Sequence, residues 1–194
     1  MIPRHPVPII VAVLCCLLLE AHENQAQTPS SDVARHATPV DLQAGQSYRA
    51  GVRVRVPNGT ASFPIPTGWR GERLDEMAAV LLVSEKVAGF VLAFGVFNQT
   101  DEELFVLLGE RQPITETLVF EPAGAVTRKG RTLTANYLAG SLAGRSIAVL
   151  GPDLQGIVFL HGRPQNEPRP TLSLIDELAD QALFTSPRSS SASP

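Results

Sequence analysis

The chain has 194 residues and carries 16 basic and 19 acidic side chains, a net charge of −3 at pH 7. This length predicts one domain, or two at most. A nearly balanced charge without a basic patch argues against nucleic acid as a partner.

The N-terminal segment, residues 1–26, is typical of a secretory signal peptide. Arg4 gives it a short positive start, and Val7–Leu19 is an apolar run of 13 residues that only one proline interrupts. That run is shorter than the roughly 20 apolar residues that span a bilayer. We predict cleavage after Ala26, and hence a secreted or periplasmic protein with no stable membrane insertion after signal cleavage. The alternative is an uncleaved anchor, because Asn24 stands where a cleavage site prefers a small residue.

Both cysteines of the chain, Cys15 and Cys16, lie in this segment. The mature chain then has no thiol, and its 15 basic and 17 acidic side chains give a net charge of −2. We therefore expect no disulfide, no cysteine-ligated metal and no thiol nucleophile, so that the hydrophobic core alone stabilises the fold.

The remaining chain divides by composition into three parts. Residues 27–46 are polar and rich in Ser, Thr and Pro, which predicts a flexible leader. Residues 47–185 alternate apolar runs with turn residues, as expected of a single α+β domain. Residues 186–194 are of low complexity and predict a disordered tail.

The first predicted strand of the domain is Tyr48–Val56, in which valines alternate with arginines. Such a period of two predicts one buried face and one wet face. Asn58-Gly59 is a strong hairpin turn, and Ser62–Ile65 returns as a short strand. We expect this strand at a sheet edge because Pro64 has no backbone donor.

The middle of the domain predicts three strands and one short helix. Ala78–Ser84 and Phe90–Phe97 are apolar strands, and Thr115–Phe120 is a further strand. Between them, Thr100–Glu103 fits a capping box, in which each side chain hydrogen-bonds the other residue's free backbone N–H. The predicted helix runs over Asp101–Leu108 and ends at a glycine.

The stretch Ala125–Gly162 predicts an antiparallel meander of four short strands joined by tight turns. Gly156–Gly162 is nearly all apolar, as in a central strand covered on both faces. Thr171–Phe184 then predicts the longest helix, which lies across the sheet and seals the core. Its apolar stripe comprises Leu174, Ile175, Leu178, Ala182 and Leu183, and its solvated face carries Asp176, Glu177, Asp180 and Gln181.

These elements predict an α+β domain with a mostly antiparallel β-sheet of about seven to nine strands. One short central helix and a C-terminal helix pack on this sheet.

The sequence contains no recognisable catalytic or metal-binding motif. Of the two mature histidines, His161 ends the last meander strand, and no second histidine or carboxylate stands at metal-ligand spacing. Ser146, Asp153 and His161 follow the chain order of a hydrolase triad but span only 15 residues on adjacent strands. The sequence around Ser146 also lacks the second glycine of a nucleophile elbow. We expect no catalytic residue, no metal and no cofactor.

The candidate ligand-binding residues are Trp69, Arg145 and His161. Trp69 follows a Pro-Thr-Gly turn, so it either packs in the core or offers a ligand platform. Arg145 and the arginines of the first strand, Arg53 and Arg55, bind an anion if they lie together, although scattered surface arginines are commoner. His161 is either a rim or core histidine with one hydrogen bond, or part of a site.

The segment Ile65-Pro66-Thr67-Gly68-Trp69, together with the order of the elements, resembles the PsbP-like α-β-α sandwich. The resemblance covers roughly residues 48–185. The fold that it implies is shared by many small exported bacterial proteins of unknown function. It implies a non-enzymatic binding or assembly factor and carries over no functional residue, since fold alone is a poor guide to function.

Two hypotheses of function follow from these observations. The first is an exported, non-catalytic binding or accessory domain whose partner is an unknown protein or a small apolar ligand. The second is a cell-envelope hydrolase with an unrecognised site. A cluster of His161, Arg145 and a carboxylate in one concave pocket would favour the hydrolase.

Overall fold

The computed structural model describes residues 37–166 and 172–185. The predicted signal peptide (1–26), the first half of the leader and the tail (186–194) lie outside the described residues.

Fourteen strands build the described part of the chain. In chain order they are β1 (Val40–Asp41), β2 (Ser47–Arg49), β3 (Arg53–Arg55), β4 (Ala61–Pro64), β5 (Arg70–Leu74), β6 (Ala79–Val83), β7 (Phe90–Phe97), β8 (Gln112–Pro113), β9 (Val119–Pro122), β10 (Thr127–Lys129), β11 (Thr132–Ala139), β12 (Leu142–Leu150), β13 (Gln155–Pro164) and β14 (Leu183–Phe184).

The strands form a small sheet and a large sheet. The small sheet has four strands in the order β1-β3-β4-β14, and its β1–β3 pair is parallel. The large sheet has ten strands in the order β2-β5-β6-β7-β13-β12-β11-β9-β8, with β10 also paired to β11, and its ladders are antiparallel. The predicted fold class is therefore confirmed, with more strands than expected because several of them have only two or three residues.

The predicted meander is confirmed as β10, β11, β12 and β13. β13 lies between β12 and β7, so both of its backbone edges are paired. Its residues from Gly156 to Gly162 are all buried. The alternation of side chains along such a central strand divides the domain into two cores, one on each face of the large sheet.

Two α-helices cover these faces: α1 (Asp101–Gly109) and α2 (Leu172–Asp180). The core on the α2 face contains Ile157 and Phe159 of β13, and the core on the α1 face contains Val158 and Leu160. Leu174, Ile175 and Leu178 of α2 are buried as predicted. A single 3-10 turn, Asp75–Met77, is the remaining helical element of the described residues. None of the described helices has the length and apolar character needed to cross a membrane.

The capping box predicted at the start of α1 is present. The backbone N–H of Thr100 donates to Glu103 Oε2 at 2.8 Å, and the N–H of Glu103 donates to Thr100 Oγ1 at 3.2 Å. The hydrogen bonds from Thr100 hold the pKa of the Glu103 carboxyl below its usual range.

The N-terminal boundary of the fold lies before residue 47. β1 pairs with β3, and Leu42 is buried in the core on the α2 face. The first predicted strand, Tyr48–Val56, is in fact two strands in different sheets. Gly51 separates them with a φ of +84°, which a residue with a side chain adopts reluctantly.

Three other local predictions were wrong. β4 lies inside the small sheet, and Pro64 is tolerated there because β14 pairs only with Ala61 and Ser62. Residues 115–118 form a turn, in which the N–H of Ile114 donates to Leu118 O at 2.9 Å, so β9 starts only at Val119. The last helix ends at Asp180, and Leu183 is exposed in β14 rather than part of the apolar stripe.

Candidate functional site

His161 lies inside the domain, on the α2 face of the large sheet. Its neighbours across the strands are Arg145 on β12 and Val91 on β7. The side chain is 1% exposed. His161 shares one face of β13 with Ile157 and Phe159, which are core residues, and it is itself a core residue rather than a rim residue.

Trp69 packs against this histidine. The turn before it is closed by the N–H of Trp69, which donates to Pro66 O at 3.1 Å. The indole is 7% exposed, and its centroid lies 6.4 Å from that of the His161 ring at an angle of 80° between the planes. This is an edge-to-face contact of the kind that aromatic rings prefer. The sequence alternatives for Trp69 were core packing and a ligand platform, and its place in the core matches the first.

The surroundings of His161 keep its ring neutral. Burial lowers the pKa of His161 to about 4, and the positive charges of Arg163 and Arg145 act in the same direction. The ring Nε2 is buried and has no hydrogen-bond partner. A neutral imidazole therefore stands where protonation would place three cationic groups near one another.

Arg145 is held by a carboxylate of α2. Its Nη1 lies 2.7 Å from Asp176 Oδ2, and its Nη2 lies 3.1 Å from Asp176 Oδ1. This two-pronged geometry is the strongest form of an arginine–carboxylate pair. Asp176 lies on the exposed face of the helix, as predicted, with its side chain 51% exposed, and from there it also ties α2 to β12.

The other two arginines considered for an anion site have their own partners. Arg53 was predicted on a wet face but is buried, and its Nη1 and Nη2 donate to Ser62 O at 3.0 Å and to Gln181 O at 3.2 Å. Arg55 forms an ion pair with Asp41 at 3.2 Å. Arg53 and Arg55 belong to the small sheet and Arg145 to the large one, so the three arginines do not form one anion site.

The order Ser146…Asp153…His161 does not build a catalytic triad. Ser146 belongs to β12 with the parity of Ala148, on the α1 face, whereas His161 lies on the α2 face. The Ser146 side chain is hydrogen-bonded to Tyr137, whose pKa is raised by burial. Asp153 lies in the β12–β13 turn before β13 begins at Gln155, and His161 is six residues further along that strand, or about 20 Å. The sheet itself therefore separates the three groups.

Sequence reasoning did not connect Arg163 and Asp176 with His161. Arg163 is two residues beyond His161 on β13, and Asp176 reaches the site only through the packing of α2 on β12 and β13. The register of β12 and β13 sets Arg145 opposite His161, and Arg145 in turn binds Asp176. That register is the signal that could have linked Asp176 to His161. No group of three or more His, Cys, Asp or Glu side chains in residues 37–166 and 172–185 is arranged to hold a metal ion.

No protein-family model matches the chain, and no curated protein matches it. Among solved structures, the chain is similar to cyanobacterial PsbP (CyanoP) from Synechocystis sp. PCC 6803. The two share 14% identity, with 72% of this chain and 92% of that chain covered and a TM-score of 0.46. A crystal structure from Bacteroides thetaiotaomicron VPI-5482 shares 9% identity over 66% of this chain and 46% of that chain, with a TM-score of 0.41. The weak PsbP-like resemblance is thus confirmed, and likeness at this level says nothing of function.

Proposed function

We propose that this protein is an exported, non-catalytic binding or accessory domain. The observation that carries the proposal is the burial of His161, the one described histidine. A general acid or base must come within about 3 Å of the group it serves, directly or through one water. A ring that is 1% exposed and packed against Trp69 has no such access in this conformation.

Of the three candidate ligand-binding residues, Arg145 alone reaches solvent. Its side chain is 22% exposed and engaged by Asp176, whereas Trp69 and His161 are buried. Under this proposal the two rings support the sheet, and a partner protein or a small apolar ligand binds to outer surfaces of the domain. The small negative charge favours neither nucleic acid nor an anionic membrane as the partner.

Export is part of the same proposal and depends on residues 1–26. Expression of the full chain in a bacterial host, followed by fractionation and mass determination, tests it. We expect the exported species to begin at Gln27, as cleavage after Ala26 requires. A protein that keeps residues 1–26 would support the uncleaved anchor instead.

The second candidate function, a cell-envelope hydrolase, is favoured by one observation. His161, Arg145 and Asp176 lie together at one end of the α2 face, as a histidine-based site would require. Catalysis would need the packing around the ring, which includes Trp69, to open and expose the histidine. The cluster would then offer a histidine as general acid or base, without a side-chain nucleophile beside it.

The test compares mature protein 27–194 with the variant His161→Phe, which keeps a ring against Trp69 but has no titratable group. Both are assayed for saturable binding to envelope proteins and lipids, and for turnover of ester, amide and glycoside substrates. The proposal predicts equal binding and no turnover by either protein. Turnover that is present in the wild type and lost in a folded His161→Phe variant would overturn it in favour of the hydrolase.

A further inference from the structure

The outer face of α1 carries an apolar surface that the fold does not use. Leu104 and Leu108 point into the core on the α1 face and are buried. Phe105 and Val106 lie on the outward side and are 39% and 59% exposed. A surface helix ordinarily presents polar side chains there. Since the two leucines already anchor the helix, packing within this chain does not explain the exposed pair.

A glycine extends this surface by one turn. Gly109 follows Phe105 by four residues, so the two share one side of the helix. A Cβ added to Gly109 would meet nothing nearer than Val126 Cγ2 at 3.7 Å. That distance is an ordinary van der Waals contact, so Val126 borders the exposed helix backbone at Gly109 on one side.

The helix is fixed at both ends, so that this surface is rigid before anything binds. The Thr100–Glu103 capping box holds its first turn. At the last turn, the Tyr137 hydroxyl donates to Leu108 O at 2.6 Å, and Gln112 Nε2 donates to Leu107 O at 2.7 Å. A pre-organised helix loses little conformational entropy on association, which favours its use for docking.

The charges on α1 itself have one sign, and the basic residues beside it, Arg111 and Arg128, form ion pairs with carboxylates. Residues 101–110 contain four carboxylates, Asp101, Glu102, Glu103 and Glu110, and no basic residue. Arg128 forms ion pairs with Asp101 and, at 3.9 Å, with Glu102. The Glu102 side chain nevertheless stays 83% exposed.

This charge pattern decides among the possible occupants. A second copy of the chain would bring two acidic helices together in a symmetric contact, and an anionic lipid surface would repel them. A segment with apolar anchors and flanking Lys or Arg side chains matches both the apolar pair and its acidic border. Helical segments of this kind dock through side chains at i, i+3, i+4 and i+7.

We propose that the outer face of α1 (Glu102, Phe105, Val106, Gly109 and Glu110) docks a basic amphipathic segment of a partner protein. The partner's apolar side chains cover Phe105 and Val106, and its cations face Glu102 and Glu110. This inference rests on the proposed binding function and assigns that function a surface.

The test uses a fluorescent helical peptide of about 14 residues built only from Leu and Lys, with all leucines on one side. Its binding to mature protein 27–194 is measured by anisotropy at low and at physiological salt. We expect the double variant Phe105→Ser/Val106→Ser to bind at least about tenfold more weakly, because each side chain loses its apolar contact. The matched control, Leu138→Ser, removes a side chain on β11 that is 49% exposed, and it should bind within about twofold of the wild type.

A second variant, Glu102→Gln/Glu110→Gln, tests the charges. It should weaken binding more at low salt than at physiological salt, because salt screens exposed charges. An equal loss in the Leu138→Ser control, or no wild-type binding up to about 1 mM peptide, would overturn the proposal. So would equal binding of a Leu–Glu peptide, or self-association or vesicle binding that the Phe105→Ser/Val106→Ser variant abolishes.

These outcomes separate the surface from the proposed function. If envelope binding persists in the Phe105→Ser/Val106→Ser variant, the surface is wrong and the binding function stands. If turnover is lost in His161→Phe, the binding function itself is wrong, whatever the peptide does.

Discussion

Acidification should destabilise this domain through His161 in a way that one substitution can isolate. The folded-state pKa of about 4 lies below the ordinary value of 6.5, because burial and two arginines disfavour the imidazolium. The unfolded chain therefore binds the proton first as the pH falls. Stability is fully present above about pH 6.5 and is lost progressively down to the folded-state pKa.

The size of the loss follows from the two pKa values. Linkage gives a decrease in the free energy of unfolding of about 2 kcal/mol at pH 5 and roughly 3 kcal/mol at pH 4. Other groups also titrate over this range, so the wild-type profile alone does not identify the histidine. The His161→Phe variant lacks the titrating ring and retains the remaining groups.

The assay is urea unfolding of mature protein 27–194 and His161→Phe at closely spaced pH values, followed by circular dichroism. The difference between the two free energies of unfolding should be constant above about pH 7 and should shift by roughly 3 kcal/mol in favour of the variant by pH 4. Parallel profiles over the whole range would refute the reasoning. They would mean that His161 is hydrated or charge-compensated in the folded state.

Three further substitutions test the packing and backbone geometry. Leu178→Asp places a carboxylate in the core under α2 and should unfold the domain. The volume-conserving control Leu178→Met should cost less than about 1.5 kcal/mol. A wild-type melting curve for the aspartate variant would mean that α2 does not seal the core. Leu154 is exposed and has a φ of +55°, a backbone conformation that glycine adopts without strain. Leu154→Gly should therefore raise the free energy of unfolding by about 1 kcal/mol. Unchanged urea unfolding would show that no strain is stored there. Arg53→Lys should lower the melting temperature and reduce the free energy of unfolding by about 1.5 kcal/mol or more. The planar guanidinium donates to Ser62 and Gln181 at once, and an ammonium group cannot reproduce that geometry. Equal melting of the two proteins would contradict this role.

The sequence predicted the elements whose cause is local. The nearly continuous apolar run Gly156–Gly162 places β13 correctly because a central strand needs apolar side chains on both faces. The capping box locates the start of α1 within the chain because both of its partners lie within four residues. The buried stripe of α2 is correct at Leu174, Ile175 and Leu178 for the same reason.

The errors have causes that are distant in the sequence. Arg53 alternates with valines as a wet-face residue would, yet one of its acceptors is Gln181, 128 residues away. β1 and β14 have two residues each, which is too short for any period to show. At the candidate site, the parity of His161 was visible, but its pairing with Arg145 depends on the β12–β13 turn, and Asp176 depends on where α2 packs.

The small sheet joins the two ends of the described chain. β1 comes from its beginning and β14 from its end, and the Thr185 hydroxyl donates to Thr60 O across 125 residues. The core on the α2 face therefore cannot close until nearly the whole domain is present, and contacts of such sequence separation form slowly. Under the proposed export such a delay is useful, because a chain that stays open until its last residues emerge remains unfolded while it is carried across a membrane.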